Sequence, residues 1–258
     1  MIKAPDLPFS LAGRKALVTG GSRGIGAAIA TLFAEASADV AICHHGDDEH
    51  ASALAAALAE RGQTLHAREC DVAQEAEVTA LADWAAETLG NIDILVNCAG
   101  IGGRDKPIGD VSVEEWDRMI GVNLRGVFLV SRTFFPGMVN RGYGRIVNIA
   151  SQLAYKGAPG LTAYVAAKSG VVGFTRALSY EGAPHNVMVN GIAPGPVETP
   201  LLFAHSEAWL DMKKGQLPLG RFGQPDEIAP TALLLASETG GAFYCGQTLS
   251  PNGGDVMI

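Results

Sequence analysis

The sequence predicts an α/β fold: one doubly wound domain over residues 1–258, with a seven-stranded parallel sheet flanked by helices. Three observations carry the prediction. Seven short apolar runs with β character alternate with longer helical patterns. The first of these runs ends in a glycine-rich turn that opens a helix. No repeat, low-complexity tract or linker divides the chain.

The chain has 258 residues, 48% hydrophobic and 18% charged, enough for a large core. Its net charge is −8, with no basic block, so neither nucleic acid nor an anionic membrane is an expected partner. The first residues lack the apolar stretch of a secretory signal, and no apolar run reaches membrane-spanning length. Cys43, Cys70, Cys98 and Cys245 are scattered without paired spacing. They read as reduced thiols of a cytoplasmic protein, not as a disulfide frame or a zinc site.

After a loose lead-in over 1–13, the run 14–19 is the first strand. Gly20-Gly21-Ser22-Arg23-Gly24-Ile25-Gly26 follows it, and the Ala-rich helix 27–36 follows the turn. Glycines there let the backbone approach a pyrophosphate, which the helix N-terminus attracts. Residues 40–43 form the next strand, whose end bears on cofactor choice. An acid there would bind a ribose 2′-hydroxyl and repel a 2′-phosphate. The sequence has His44-His45-Gly46 instead, and Arg23 in the turn could face a phosphate. The reading favours NADP(H); Asp47 and Asp48 lie near enough to keep NAD(H) open. His44 and His45 point to opposite strand faces, and no third ligand stands at a suitable spacing, so no metal site is expected.

A helix over 48–61, a strand over 63–69, a helix over 74–89 and a strand over 92–96 come next. Asn97-Cys98-Ala99-Gly100 ends that strand at the sheet edge where a cofactor would lie. One long helical pattern, 113–138, contains Asn123 amid apolar neighbours; a buried Asn there must find partners, or it caps a local kink. The strand 142–149 ends just before Ser151, at the sheet's ligand-binding edge. The helix 162–181 carries Tyr164 and Lys168, one turn apart on one face. A free Tyr keeps its proton at neutral pH, with a pKa near ~10. A neighbouring ammonium favours phenolate and suits the pair to proton transfer, while the Ser151 hydroxyl can hold a substrate oxygen. An exposed Tyr beside an exposed Lys is the plainer alternative for the pair alone. The strand 187–192 ends at Pro194-Gly195-Pro196, the segment 201–214 reads as part of a lid over about 200–216, and a helix over 225–236 precedes the last strand, 247–250.

Taken together, these motifs resemble the short-chain dehydrogenase/reductase family over about residues 10–254, with closest similarity to its 3-oxoacyl-acyl-carrier-protein reductase branch. The resemblance implies a Rossmann-like fold. It implies cofactor contacts at Gly20, Ser22, Arg23, Gly24, Ile25 and Gly26, at His44, at Asp71 and Val72 beside adenine, and at Asn97, Ala99 and Gly100. It adds Pro194, Gly195, Val197 and Thr199 beside the nicotinamide carboxamide. Asn123, Ser151, Tyr164 and Lys168 match the family's catalytic four, with Tyr164 and Lys168 also touching the cofactor. Tyr164 then moves the proton, Lys168 lowers its pKa and binds the ribose, Ser151 orients the substrate oxygen, and Asn123 holds a relay water. Cys98 departs from the family's Asn-Asn-Ala-Gly and removes one hydrogen-bonding side chain. A homotetramer built through 113–138 and 162–181 is also implied.

The expected substrate is a small carbonyl or secondary alcohol, first a 3-oxoacyl thioester, with a sugar or polyol as alternative. Two features weigh against a carrier protein. The chain is acidic, as carrier proteins are. The positions where related reductases grip the carrier with arginine hold Gly142, beside Arg141, and His185. A non-catalytic cofactor-binding protein on the same fold is the remote alternative; it would have no need of all four catalytic matches.

Overall fold

The structure, a computed structural model, describes residues 9–103 and 105–257. Seven strands form one parallel sheet: β1 (Lys15–Thr19), β2 (Asp39–His44), β3 (Leu65–Glu69), β4 (Ile94–Asn97), β5 (Gly144–Ile149), β6 (Val187–Ile192) and β7 (Thr248–Leu249). The main helices are α1 (Gly24–Glu35), α2 (Asp48–Ala59), α3 (Glu75–Thr88), α4 (Val113–Ile120) and α5 (Gly126–Arg141). The short α6 (Leu153–Lys156) precedes α7 (Thr162–Gly182), α8 (Glu207–Gln216), α9 (Pro225–Ala236) and the short α10 (Glu238–Gly241).

The strands alternate their side chains between two apolar layers. In β1, Ala16 and Val18 join one core cluster and Leu17 the other, all fully buried. Ile42 and Cys43, and Val96 and Leu95, divide in the same way. Continuous apolar strands are what a parallel sheet covered on both faces requires. One layer packs against α1 and α9, the other against α3, α5 and α7.

The strand order is β3-β2-β1-β4-β5-β6-β7. Chain direction across the sheet reverses between β1 and β4, where Thr19 pairs with Asn97. Such a switch point opens a crevice beyond the carboxyl ends of the strands. Gly20, Ser151 and Pro194 all follow carboxyl ends at this edge.

Four local expectations are revised. Helix α1 begins at Gly24, inside the glycine turn, because a Cβ at Gly26 would stand 2.1 Å from the Gly20 carbonyl oxygen. The 113–138 pattern is broken by one π-helical turn, Gly121–Arg125, which lifts Asn123 out of the regular ladder. The 201–214 stretch holds a helix, α8, capped by the Ser206 hydroxyl at 3.3 Å from the Trp209 amide nitrogen. The lead-in is not loose at Leu11, which is buried and donates its N–H to the Ala36 carbonyl at 2.8 Å; residues 1–8 lie outside the described residues. The four cysteines are free, as expected. Among the described residues no helix is long and apolar enough to cross a membrane.

Candidate active site

The crevice is a cavity of about 1250 Å³. An ordinary small-ligand pocket has roughly 300–1,000 Å³, so this one has room for a large cofactor and a second molecule.

Its first half is built largely by backbone. Gly20 has φ +62°, and a Cβ there would lie 2.7 Å from Ala99 Cα. Glycine is therefore required both by the turn and by the neighbouring β4 loop. The N-terminus of α1 carries no acidic residue in its first turn and no side-chain cap, which leaves its N–H groups and dipole to an anion. The Thr19 hydroxyl accepts from the Cys98 and Ala99 amides at 3.0 and 3.1 Å, fixing the loop under that space. The Cys98 side chain is not needed for this backbone arrangement. The buried His44 Nδ1 has no partner and lies in a residue that lines the cavity. A dinucleotide fits this set: a glycine floor, a free helix N-terminus and an unpaired imidazole nitrogen at the rim.

Charges at the rim are partly spoken for. Asp47 accepts from the Ser22 hydroxyl at 2.5 Å, pairs with His50 at 2.7 Å, and lies 3.6 Å from Arg23 Nε. Burial would raise the Asp47 carboxyl, but Ser22, His50 and Arg23 outweigh it and hold the group below the usual carboxylate range. The local sequence signal for this clamp is an acid three residues beyond β2.

In the second half, β5 delivers Ser151 and α7 delivers Tyr164 and Lys168 to the same cavity. Lys168 is buried and donates from Nζ to the Ile149 carbonyl at 2.8 Å. Burial pulls its pKa down to about 8. Burial pushes the Tyr164 phenol up, and its hydrogen bond with Ser151 offsets that only in part. The expected depression of the phenol by Lys168 is not found: Nζ sits 5.9 Å from the Tyr164 ring centroid, turned to Ile149. Asn123 is fully buried and paired on both sides of its amide, donating to the Ile101 carbonyl at 3.0 Å and accepting from the Ile101 N–H at 3.2 Å. A Cβ at Gly100 would stand 2.7 Å from Asn123 Oδ1 and 3.6 Å from Lys168 Nζ, so both polar groups close on the Gly100 backbone.

Every residue expected to bind or react lines this cavity except Asn97. Asn97 lies beside the lining, in the core. Its amide donates to Ser131 Oγ at 3.0 Å and Asn148 Oδ1 at 2.8 Å, tying β4 to α5 and β5 inside the core. Sequence reasoning also passed over Gln152, Lys156 and Lys213, which line the cavity. Nothing local marks them; they converge on Asp255 from distant segments.

The short chain dehydrogenase family model matches residues 14–208. The chain is 43% identical over 246 residues to the acetoacetyl-CoA reductase of Rhizobium meliloti (strain 1021), covering 95% of this chain and 99% of the relative. It is 39% identical over 249 residues to the 3-oxoacyl-(acyl-carrier-protein) reductase FabG of Aquifex aeolicus (strain VF5), covering 96% and 99%. Its fold is similar to the crystal structure of a gluconate 5-dehydrogenase from Burkholderia cenocepacia J2315 in complex with NADP and tartrate, with TM-score 0.89, 38% identity and coverage of 95% and 96%. With the crevice, the glycine turn and the Ser-Tyr-Lys convergence in place, the chain belongs to the short-chain dehydrogenase/reductase family, as an oxidoreductase acting on CH–OH groups with NAD or NADP as acceptor.

Proposed function

We propose that this protein interconverts a secondary alcohol and a ketone of a small molecule, with Tyr164 as the proton-transferring group. The observation that carries the reading is the delivery of Ser151, Tyr164 and Lys168 into one cavity beside a glycine-floored dinucleotide site. A bound nicotinamide supplies or accepts the hydride at its C4. Ser151 orients the substrate oxygen. In the reductive direction Tyr164 gives its proton to that oxygen, and in the oxidative direction it takes the proton back. Lys168 is the buried cation one helical turn from Tyr164, its Nζ on the Ile149 carbonyl, and its charge is worth most in this water-poor setting. Asn123 holds the Gly100–Ile101 backbone against Lys168.

For the cofactor we favour NADP(H), on the half-exposed Arg23 at the rim and the absence of an acid directly at the end of β2. The NADP in the Burkholderia cenocepacia structure supports the same choice. NAD(H) is the second reading, favoured by the ionised Asp47 beside Ser22 and Arg23. For the substrate, a 3-oxoacyl thioester draws support from the names of the Rhizobium meliloti and Aquifex aeolicus relatives; a sugar or polyol derivative draws it from the gluconate 5-dehydrogenase. A homotetramer packed through α5 and α7 is supported by the exposed Phe128 and Tyr180 on those helices, and light scattering reads its mass.

Initial rates at 340 nm with NADPH and NADH, against acetoacetyl-CoA, simple ketones, alditols and sugar acids, test the proposal. Turnover of at least one panel member with either nucleotide is expected. A protein that binds nucleotide yet turns over none of them is a binding module, and the proposal fails.

A further inference from the structure

The substrate end of the cavity holds a charged cluster that the Ser-Tyr-Lys chemistry does not use. Gln152 is the residue after Ser151 and is buried. Lys156 ends α6, and Lys213 lies on α8 with its side chain 11% exposed. All three line the cavity. Asp255, from the chain's last segment, does not, and its side chain is 6% exposed. Lys213 Nζ bonds both Asp255 oxygens at 2.8 and 2.7 Å, Lys156 Nζ bonds one at 2.8 Å, and the Gln152 amide N–H₂ donates to the other.

The charges do not balance. Among the described residues two ammoniums share one carboxylate, which leaves one positive charge over; both lysines line the cavity and Asp255 does not. A tether between α8 and the C-terminal segment would need one lysine; the second, Lys156, has a side chain 36% exposed and leaves a charge that another anion can meet. Gln152 adds a direction. Its amide nitrogen is fixed on Asp255, because the oxygen there would face a carboxylate. Its Oε1 is buried and has no partner among the described residues, an acceptor with room for a donor.

Resting on the oxidoreductase reading above, we infer that the substrate is a hydroxy or keto carboxylate, its carboxylate held by Lys213 and Lys156 and a hydroxyl donated to Gln152 Oε1. The fixed anion then places a carbon of the same small molecule beside Ser151 and Tyr164. A charge-assisted contact of this kind is strong enough to set specificity at tenfold or more.

The test compares kcat/KM for D-gluconate and further sugar acids with that for D-glucitol and the matching alditols, which lack only the carboxylate, and with acetoacetyl-CoA as a third class. The acids are expected to exceed the alditols by at least tenfold. Lys213→Met should collapse that ratio by tenfold or more through KM for the acid. Lys156→Gln, at a more exposed site, repeats the test if Lys213→Met does not fold, and thermal unfolding checks both. Turnover of alditols or acetoacetyl-CoA with no advantage for acids overturns the inference but leaves the oxidoreductase reading standing. Variants that weaken acids and alditols equally reduce the cluster to a tether and also overturn it. No nucleotide-linked turnover of any class removes the underlying reading, and the inference with it.

Discussion

The two halves of the cavity are made in different ways. The half beneath the dinucleotide is made of backbone: Gly20, Gly24 and Gly26, the open N-terminus of α1, and the Cys98–Ala99 amides pinned by Thr19. The substrate half is made of side chains brought from afar: Gln152, Lys156, Lys213 and Asp255, with His205 stacked on Trp209 at 4.0 Å in the wall. A backbone site tolerates little variation, because its shape depends on atoms that every residue shares and on the absence of a Cβ. A side-chain site can change its ligand one residue at a time over the same frame. Relatives of 38–43% identity that act on thioesters and on sugar acids fit that division.

Lys168 stands where the halves meet, and its replacement has the largest expected effect. Lys168→Met should lower kcat by about a hundredfold or more while raising the melting temperature at neutral pH. The sign follows from the depressed pKa. Between about 8 and 10.5 the unfolded lysine binds more protons than the folded one, so stability rises with pH across that window. Below it the fold carries the full cost of the buried charge, on the order of 3 kcal/mol. A lower melting temperature for the variant would mean that the bond to Ile149 outweighs this cost. Gly26→Ala comes next: its Cβ would stand 2.1 Å from the Gly20 carbonyl oxygen, forcing the turn open. The expected result is a cofactor KM at least tenfold higher with a smaller change in the acid-to-alditol ratio; equal loss of both would erase the boundary between the halves. Asp47→Asn is the mildest. It keeps an acceptor for Ser22 but removes the charge beside Arg23, so the NADPH-to-NADH ratio of kcat/KM should rise severalfold. An unchanged ratio would remove Asp47 from cofactor choice.

The same division explains what the sequence disclosed. The cofactor half and the Tyr164–Lys168 pair were legible because their signals are local: a strand, a glycine turn and a helix in close succession, and two side chains one helical turn apart. The central strands were legible because apolar runs covered on both faces leave no polar alternation to misread. The core partners of the Asn97 side chain, Ser131 and Asn148, were not legible, because they come from α5 and β5. Asn123 could be read either as a kink or as a site residue; it stands in a π-helical turn and lines the cavity. The Asp255 cluster was silent because Asp255 meets Lys213 across 42 residues, Lys156 across 99 and Gln152 across 103. No window of sequence contains that cluster.

Tyr164→Phe is the most direct test of the account. Initial rates at 340 nm, on whichever substrate the panel identifies, should fall below a few per cent of wild type, since loss of a positioned acid–base group costs about 10²–10⁴-fold. Fluorescence titration with the nucleotide should give a dissociation constant within about twofold of wild type, because the backbone half remains intact. A variant that keeps a substantial rate, or that loses turnover only by losing the nucleotide, would contradict the assignment of Tyr164 as the proton-transferring group.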